Sequence, residues 1–248
     1  MKEKEKKYKA LKSEILTRRT LSHRIYAIIS KNKLRLLLFT LLGVAASGFV
    51  VSALLANKGT FTVTLPRQQM LDLGLVISDT AGFERPRHEI QGPPVIDMWN
   101  ITRSDIPDDL HMRDGFNSDE NYLAMTIYLK NMGSKNLDYT LAVDINEIFR
   151  DIDEALRIEL YVNDEPETYA KRKSDKSGDP EPDTVPFVAK TRVISLNSRQ
   201  IDVGQVEKFT LIAWIEGEDP DCTNELLGGF VKMTMNFDAK VRQQENGG

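Results

Sequence analysis

One stretch limits what this chain can be more than any other. Leu36 to Ala56, LLLFTLLGVAASGFVVSALLA, runs for 21 residues without a charge, an amide, a proline or a histidine. As a helix rising 1.5 Å per residue it covers about 30 Å, the thickness of a bilayer's hydrocarbon core. A helix buried in a soluble domain normally shows a polar face, and this run has none. The expectation is one transmembrane helix over residues 36–56.

The flanks of the run are unequal. Lys31, Lys33 and Arg35 stand directly before it, and Lys58 is the only charge soon after it. The positive-inside rule then places the N-terminus in the cytoplasm and the larger, C-terminal part outside the cell, on a single-pass protein of the cell membrane. A cleaved secretory signal is the competing reading, since Val51-Ser52-Ala53 and Leu54-Leu55-Ala56 offer small-residue cleavage sites. The apolar stretch is longer than a signal's h-region and its basic prelude is long, which favours an uncleaved signal anchor.

Charge divides along the same line. The net charge of the whole chain is -4, yet residues 1–35 carry 12 Lys or Arg against Glu3, Glu5 and Glu14, so this arm is +9 and the remainder -13. Within the arm, Tyr8, Leu11, Ile15, Arg18, Leu21, Ile25 and Ile28 recur at spacings of three and four, the signature of a basic amphipathic helix. Such a helix is drawn to anionic lipid of the inner leaflet by about 1 kcal/mol per basic group. The plainer alternative is a solvated tail that only sets topology. Because an apolar span separates arm from acidic domain, membrane and not nucleic acid is the expected partner.

Beyond the span the pattern becomes β-like. Thr60–Leu65, Leu73–Ile77, Tyr122–Leu129, Leu137–Ile145, Ala155–Val162, Val193–Leu196, Glu207–Ile215 and Phe230–Phe237 read as strands, with one helical turn at Asn146–Ile152. Many short strands with turns between them predict a mainly β domain over residues 57–242, an antiparallel β-sandwich, with a disordered C-terminus at 243–248. Arg85 to Gly115, with four prolines, reads as a long irregular excursion, and the polar run Ala170 to Pro186 as a flexible hairpin extension.

Sequence signatures of catalysis are few. His23, His88 and His111 are the only histidines and none sits in an HExxH pattern. A GxSxG elbow, a P-loop and paired cysteines are all missing from the sequence, and Cys222 stands alone. No catalytic, cofactor-binding or metal-ligating residue is assigned, no cofactor is expected, and the chain is not expected to be an enzyme. The most distinctive segment follows Trp214, where Glu216, Glu218, Asp219, Asp221 and Glu225 crowd into a turn shaped by Gly217 and Pro220. Oxygen-rich turns can hold a hard cation such as calcium, although the EF-hand spacing is absent. The alternative is a rigid acidic turn with Asp221 or Thr223 as a local cap.

Three patches together carry a resemblance: the span followed at once by Gly59-Thr60-Phe61, the strand ending Leu129-Lys130-Asn131-Met132-Gly133-Ser134, and Trp214-Ile215-Glu216-Gly217-Glu218-Asp219-Pro220-Asp221-Cys222. In these the chain resembles Gram-positive bacterial surface proteins related to TasA and camelysin, over residues 45–240. The resemblance implies a jelly-roll β-sandwich made as a secretory precursor and, for some members, assembly into biofilm matrix fibres. The 35-residue basic arm departs from the family's shorter start. The metalloprotease activity attributed to camelysin-like members finds no metal-binding motif here to rest on, and no family site residue transfers.

The sequence thus leads to a membrane-anchored, extracellular structural or binding protein that meets other surface proteins or copies of itself and contributes to matrix or envelope assembly. The alternative is a cation-dependent extracytoplasmic enzyme using the acidic turn after Trp214.

Overall fold

The computed structural model describes residues 5–9, 33, 35, 37–49, 61–93 and 98–243. The chain divides into two compact units, Met1–Ala56 and Asn57–Gly248. In the first, the described residues are helical and exposed. No helix among the described residues is long and apolar enough to cross a membrane. The described helical run, residues 37–49, covers only part of the predicted span, whose Leu36 and residues 50–56 lie outside the described residues, as does most of the basic arm. Residues 244–248, expected to be disordered, also lie outside them.

The second unit is mainly β and holds two sheets. Its strands are β1 (Phe61–Thr64), β2 (Leu75–Ser78), β3 (Glu89–Gln91), β4 (Gly115–Phe116), β5 (Tyr122–Asn131), β6 (Leu137–Phe149), β7 (Leu156–Val162), β8 (Glu165–Ala170), β9 (Val185–Pro186), β10 (Arg192–Ile201), β11 (Val206–Ile215) and β12 (Phe230–Val241). One sheet runs β10-β6-β12-β1-β3; the other runs β2-β5-β11-β7-β8-β9, with β4 beside β5. Pairing is antiparallel except for β1 with β12 and β8 with β9, which run parallel.

Alternation explains the shared core. β6 turns Leu137, Tyr139, Leu141, Val143 and Ile145 inward, and β11 turns Phe209, Leu211, Ala213 and Ile215 inward, so both sheets feed one hydrophobic cluster. Each fully buried side chain of this size contributes about 1.5–3 kcal/mol. The opposite face of the seven-stranded sheet is covered too. Ile212 and Trp214 of β11, Tyr122 of β5 and Tyr161 of β7 pack there against Ile106 and Leu110.

Ile106 and Leu110 belong to the proline-rich excursion expected to be irregular, whose described residues instead include β3, paired with β1, and 3-10 turns at Arg103–Asp105 and Asp108–Met112. Arg103 fastens it: Nε donates to Glu159 Oε2 at 3.0 Å and Nη2 to the Tyr161 hydroxyl at 3.3 Å. His111 stacks on Tyr161 with ring centroids 4.8 Å apart. The stretch from Ile101 to His111 therefore covers this face of the sheet.

Two local expectations change. The stretch predicted as a strand from Leu73 starts with the end of a short helix, α1 (Arg67–Leu73), stopped by Gly74 in the left-handed region at φ 71°. A Cβ on Gly74 would lie 2.6 Å from Gly133 Cα, so the turn after β5 packs on the helix end. The helical turn expected at Asn146–Ile152 is mostly strand: β6 continues to Phe149 because β12 pairs with it out to Phe230, and a 3-10 turn follows at Ile152–Glu154.

Candidate functional site

β11 delivers the acidic turn, and its last buried ring fixes where the turn starts. Trp214 is 2% exposed on the outer face of the seven-stranded sheet, in phase with Ile212. Its Nε1 donates to Glu216 Oε2 at 2.9 Å, while Glu216 Oε1 accepts from the Glu218 amide at 3.2 Å. Glu216 is thus spent on the turn's own geometry. Glu218 points to solvent with Glu225, so the five carboxylates do not all meet.

Asp219 and Asp221 do converge, together with a third group that lies outside the turn. Ligand-capable atoms of Glu181, Asp219 and Asp221 lie within 4.8 Å of one another. Asp219 Oδ1 accepts from the Asp221 amide at 2.8 Å. Its Oδ2 accepts from Arg157 Nη2 at 2.6 Å, and Glu181 Oε2 lies 3.6 Å from the same Nη2. Arg157 of β7, Asp219 and Glu181 are all buried. Asp221 is taken up by Ser174, whose amide donates at 3.2 Å and whose hydroxyl also donates.

The electrostatics follow from burial and from one cation facing two acids. Burial first, and then the neighbouring Asp219, push the Glu181 carboxyl above its ordinary range despite Arg157. The Cys222 thiol is pushed up as well, by burial and then by Asp219 and Glu216. A raised thiol carries little thiolate at neutral pH and is a poor nucleophile. Chemically, the arrangement supplies carboxylate oxygens on one side of a fixed guanidinium, with Arg157 already acting as their cation.

Beside the turn a cavity of about 260 Å³ opens between Met98–Asn100 and the loop Cys222–Gly229, with Ile152 and Ile215 among its lining. Cys222 is half-buried on its wall. The remaining sequence candidates lie apart. His88 leads into β3, its carbonyl accepting from the Leu65 amide at 2.8 Å, and His111 is used in stacking on Tyr161. His23 lies outside the described residues.

Sequence reasoning missed Arg157 and Glu181. A signal for the first was present: in ALRIELYV, Leu156, Ile158 and Leu160 alternate with Arg157, Glu159 and Tyr161, and the second set faces the covered outer side of the sheet. Glu181 had no such signal. It sits in the polar segment expected to be a flexible extension, which instead places a buried carboxylate against Arg157 and ties Ser174 to Asp221.

No protein-family model matches the chain, and no curated protein matches it. Solved structures that show a likeness include the following two. One, described as AvmM catalysing macrocyclization in alchivemycin A biosynthesis, is 8% identical over 51% of this chain and 82% of its own, with a TM-score of 0.23. The other, a beta-glucosidase from Kluyveromyces marxianus, is 14% identical over 69% of this chain and 17% of its own, with a TM-score of 0.22. Likeness at that level carries no argument about this chain.

Proposed function

We propose that this chain is a membrane-anchored cell-surface protein that presents a jelly-roll-like β-sandwich outside the cell, for structural or binding duty in the matrix or envelope. The observation that carries the reading is the uncharged run 36–56, basic on one side only and ending five residues before β1. The shared core between the two sheets supports the sandwich. Kinship with the TasA and camelysin type of Gram-positive surface protein belongs to the same proposal, as does attraction of the basic arm to anionic lipid.

Partners of such a module are other surface proteins or further copies, met along sheet edges. The edges are managed accordingly. β8 places Glu165, Pro166 and Glu167 along its exposed part, and β10 breaks its pairing with β6 at two register shifts, with Ser198 at φ 57°. Charge, proline and bulges of this kind suppress indiscriminate strand addition and leave pairing selective. The test is extraction of the native membrane fraction with alkaline carbonate, followed by electron microscopy of the detergent-solubilised chain. Retention in the membrane with defined oligomers or filaments supports the proposal; release as a free monomer sinks it.

A second reading, cation-dependent chemistry at the acidic turn, has the convergence of Glu181, Asp219 and Asp221 in its favour. Against it stands the Arg157 guanidinium, which is already paired with two of the three. Calcium that raises the melting temperature of the wild type and not of Asp219→Ala would favour this reading over a purely structural turn.

A further inference from the structure

The end of the β domain at which the chain enters is also the end that carries its exposed aromatic rings. β1 runs parallel to β12, with Phe61 opposite Met233, so both strands begin at the same end. β6 runs antiparallel to β12 and finishes there, with Phe149 opposite Phe230 and their rings stacked 5.6 Å apart. The loop that leads into β12 brings Leu227 to this end, and Trp99 lines the same cavity as Leu227. Trp99 is 70% exposed, Leu227 60% and Phe149 47%. Among the described residues of the domain, Trp99 and Phe149 are the exposed aromatic side chains, and both lie here. At the opposite end, the exposed apolar groups among the described residues include Leu71, Met132, Val203, Val206 and Val241, with no ring among them.

Trp99 is not on a ragged loop. Its amide donates to Asn121 Oδ1 at 3.1 Å. Two residues on, the Ile101 amide donates to the Ile215 carbonyl and the Ile101 carbonyl accepts from the Gly217 amide, both at 2.9 Å. Hydrogen bonds thus hold an indole at the surface beside the exposed Leu227, and it is such a grouping of exposed apolar side chains, not a lone one, that marks an interaction surface.

We propose that this end is a lipid-facing surface, with Trp99, Phe149, Leu227 and Phe230 seated in the interfacial layer of the bilayer that holds the 36–56 span. The inference rests on the anchored reading above. Connectivity selects lipid as the occupant: four residues, 57–60, separate Ala56 from Phe61, and the five steps between those two reach about 17 Å at most. A domain tethered so closely keeps its entry end at the headgroup layer, where tryptophan and other amphipathic rings are favoured. Arg150 lies over the Phe149 ring at 5.6 Å and offers a cation to a lipid phosphate. The exposed Asp151 and Glu225 on the same loops favour a zwitterionic surface over a strongly anionic one.

The full chain reconstituted in phosphatidylcholine vesicles tests this directly, because Trp99 and Trp214 are its two tryptophans and only Trp214 is buried. Lipids brominated near the headgroup quench the emission of the wild type and leave that of Trp99→Phe unchanged, the latter reporting Trp214 in an intact domain. Raising the fraction of anionic lipid lowers the quenching. If the chain resists alkaline carbonate while Trp99 stays unquenched and open to aqueous iodide, the lipid-facing assignment is overturned and the anchor stands. Shielding of Trp99 from iodide without bromolipid quenching assigns the face to a protein partner and overturns it equally. Release of the chain by carbonate overturns the anchored reading, and the inference with it.

Discussion

The Tyr139 hydroxyl donates a hydrogen bond to Glu207 Oε2 at 2.6 Å, joining β6 of one sheet to β11 of the other through the interior of the domain. Arg199 of β10 completes the bridge, donating from Nε to the Tyr139 oxygen at 2.8 Å and from Nη2 to Glu207 at 3.0 Å. Burial of Glu207 is tolerable because its charge has both a cation and a neutral donor.

Tyr139→Phe keeps the ring and removes that donor, so a loss of about 1.5–3 kcal/mol is expected, as for hydrogen bonds to charged groups. Urea unfolding measures it. Burial, then the bond to Glu207, raise the Tyr139 pKa in the folded state. The stability from this shift is complete below the ordinary tyrosine value of about 10 and is lost as pH rises above it. The wild type therefore shows a steeper alkaline loss of stability than Tyr139→Phe, in which Tyr128 and Tyr169, also raised by burial, still contribute. Equal alkaline curves for the two proteins contradict this account.

Arg157→Met leaves Asp219 buried with the amide of Asp221 as its remaining partner. The expected cost is about 3–5 kcal/mol, the range for breaking a buried ion pair from one side. Adding Asp219→Asn should restore a large part of it. If the double variant is as unstable as the sum of the two single ones, the pair is not coupled as drawn.

Glu181→Gln is expected to raise the melting temperature at neutral pH. The folded-state pKa of Glu181 lies above its unfolded value, so the shift favours folding below the ordinary carboxylate range and is lost as pH rises through the raised value. At pH 7 the wild type keeps a buried charge that glutamine avoids, and at pH 4 the two proteins should melt alike. A variant that is less stable at pH 7 would show the pairing with Arg157 to outweigh burial.

Cys222 is expected to alkylate slowly at neutral pH and to accelerate only above the ordinary thiol range, because burial and the nearby Asp219 and Glu216 disfavour its thiolate. Iodoacetamide labelling followed by mass spectrometry across pH 7 to 10 measures the profile. Rapid labelling at pH 7 would contradict it.

Much of the fold was legible because the strands alternate. Phe61 and Val63, and Leu137 through Ile145, announce their buried face every second residue. β10 was readable only as Val193–Leu196, since its register shifts with β6 interrupt the alternation that marks a strand. Asn146 and Glu147 look helical locally, but they are held in β6 by a partner strand far along the chain, and short-range propensity loses to that pairing. The candidate site was half visible. The acidic turn is a continuous run in the sequence, whereas Arg157 and Glu181 reach it from β7 and from a segment whose polarity alone suggested mobility.

Protease treatment of intact cells carrying distinct epitopes at the two termini tests the placement of the chain across the membrane. External protease is expected to destroy the C-terminal epitope and residues 57–242 while a membrane-bound fragment with the N-terminal epitope survives. Survival of the C-terminal epitope in intact cells, with its loss only after permeabilisation, would contradict it.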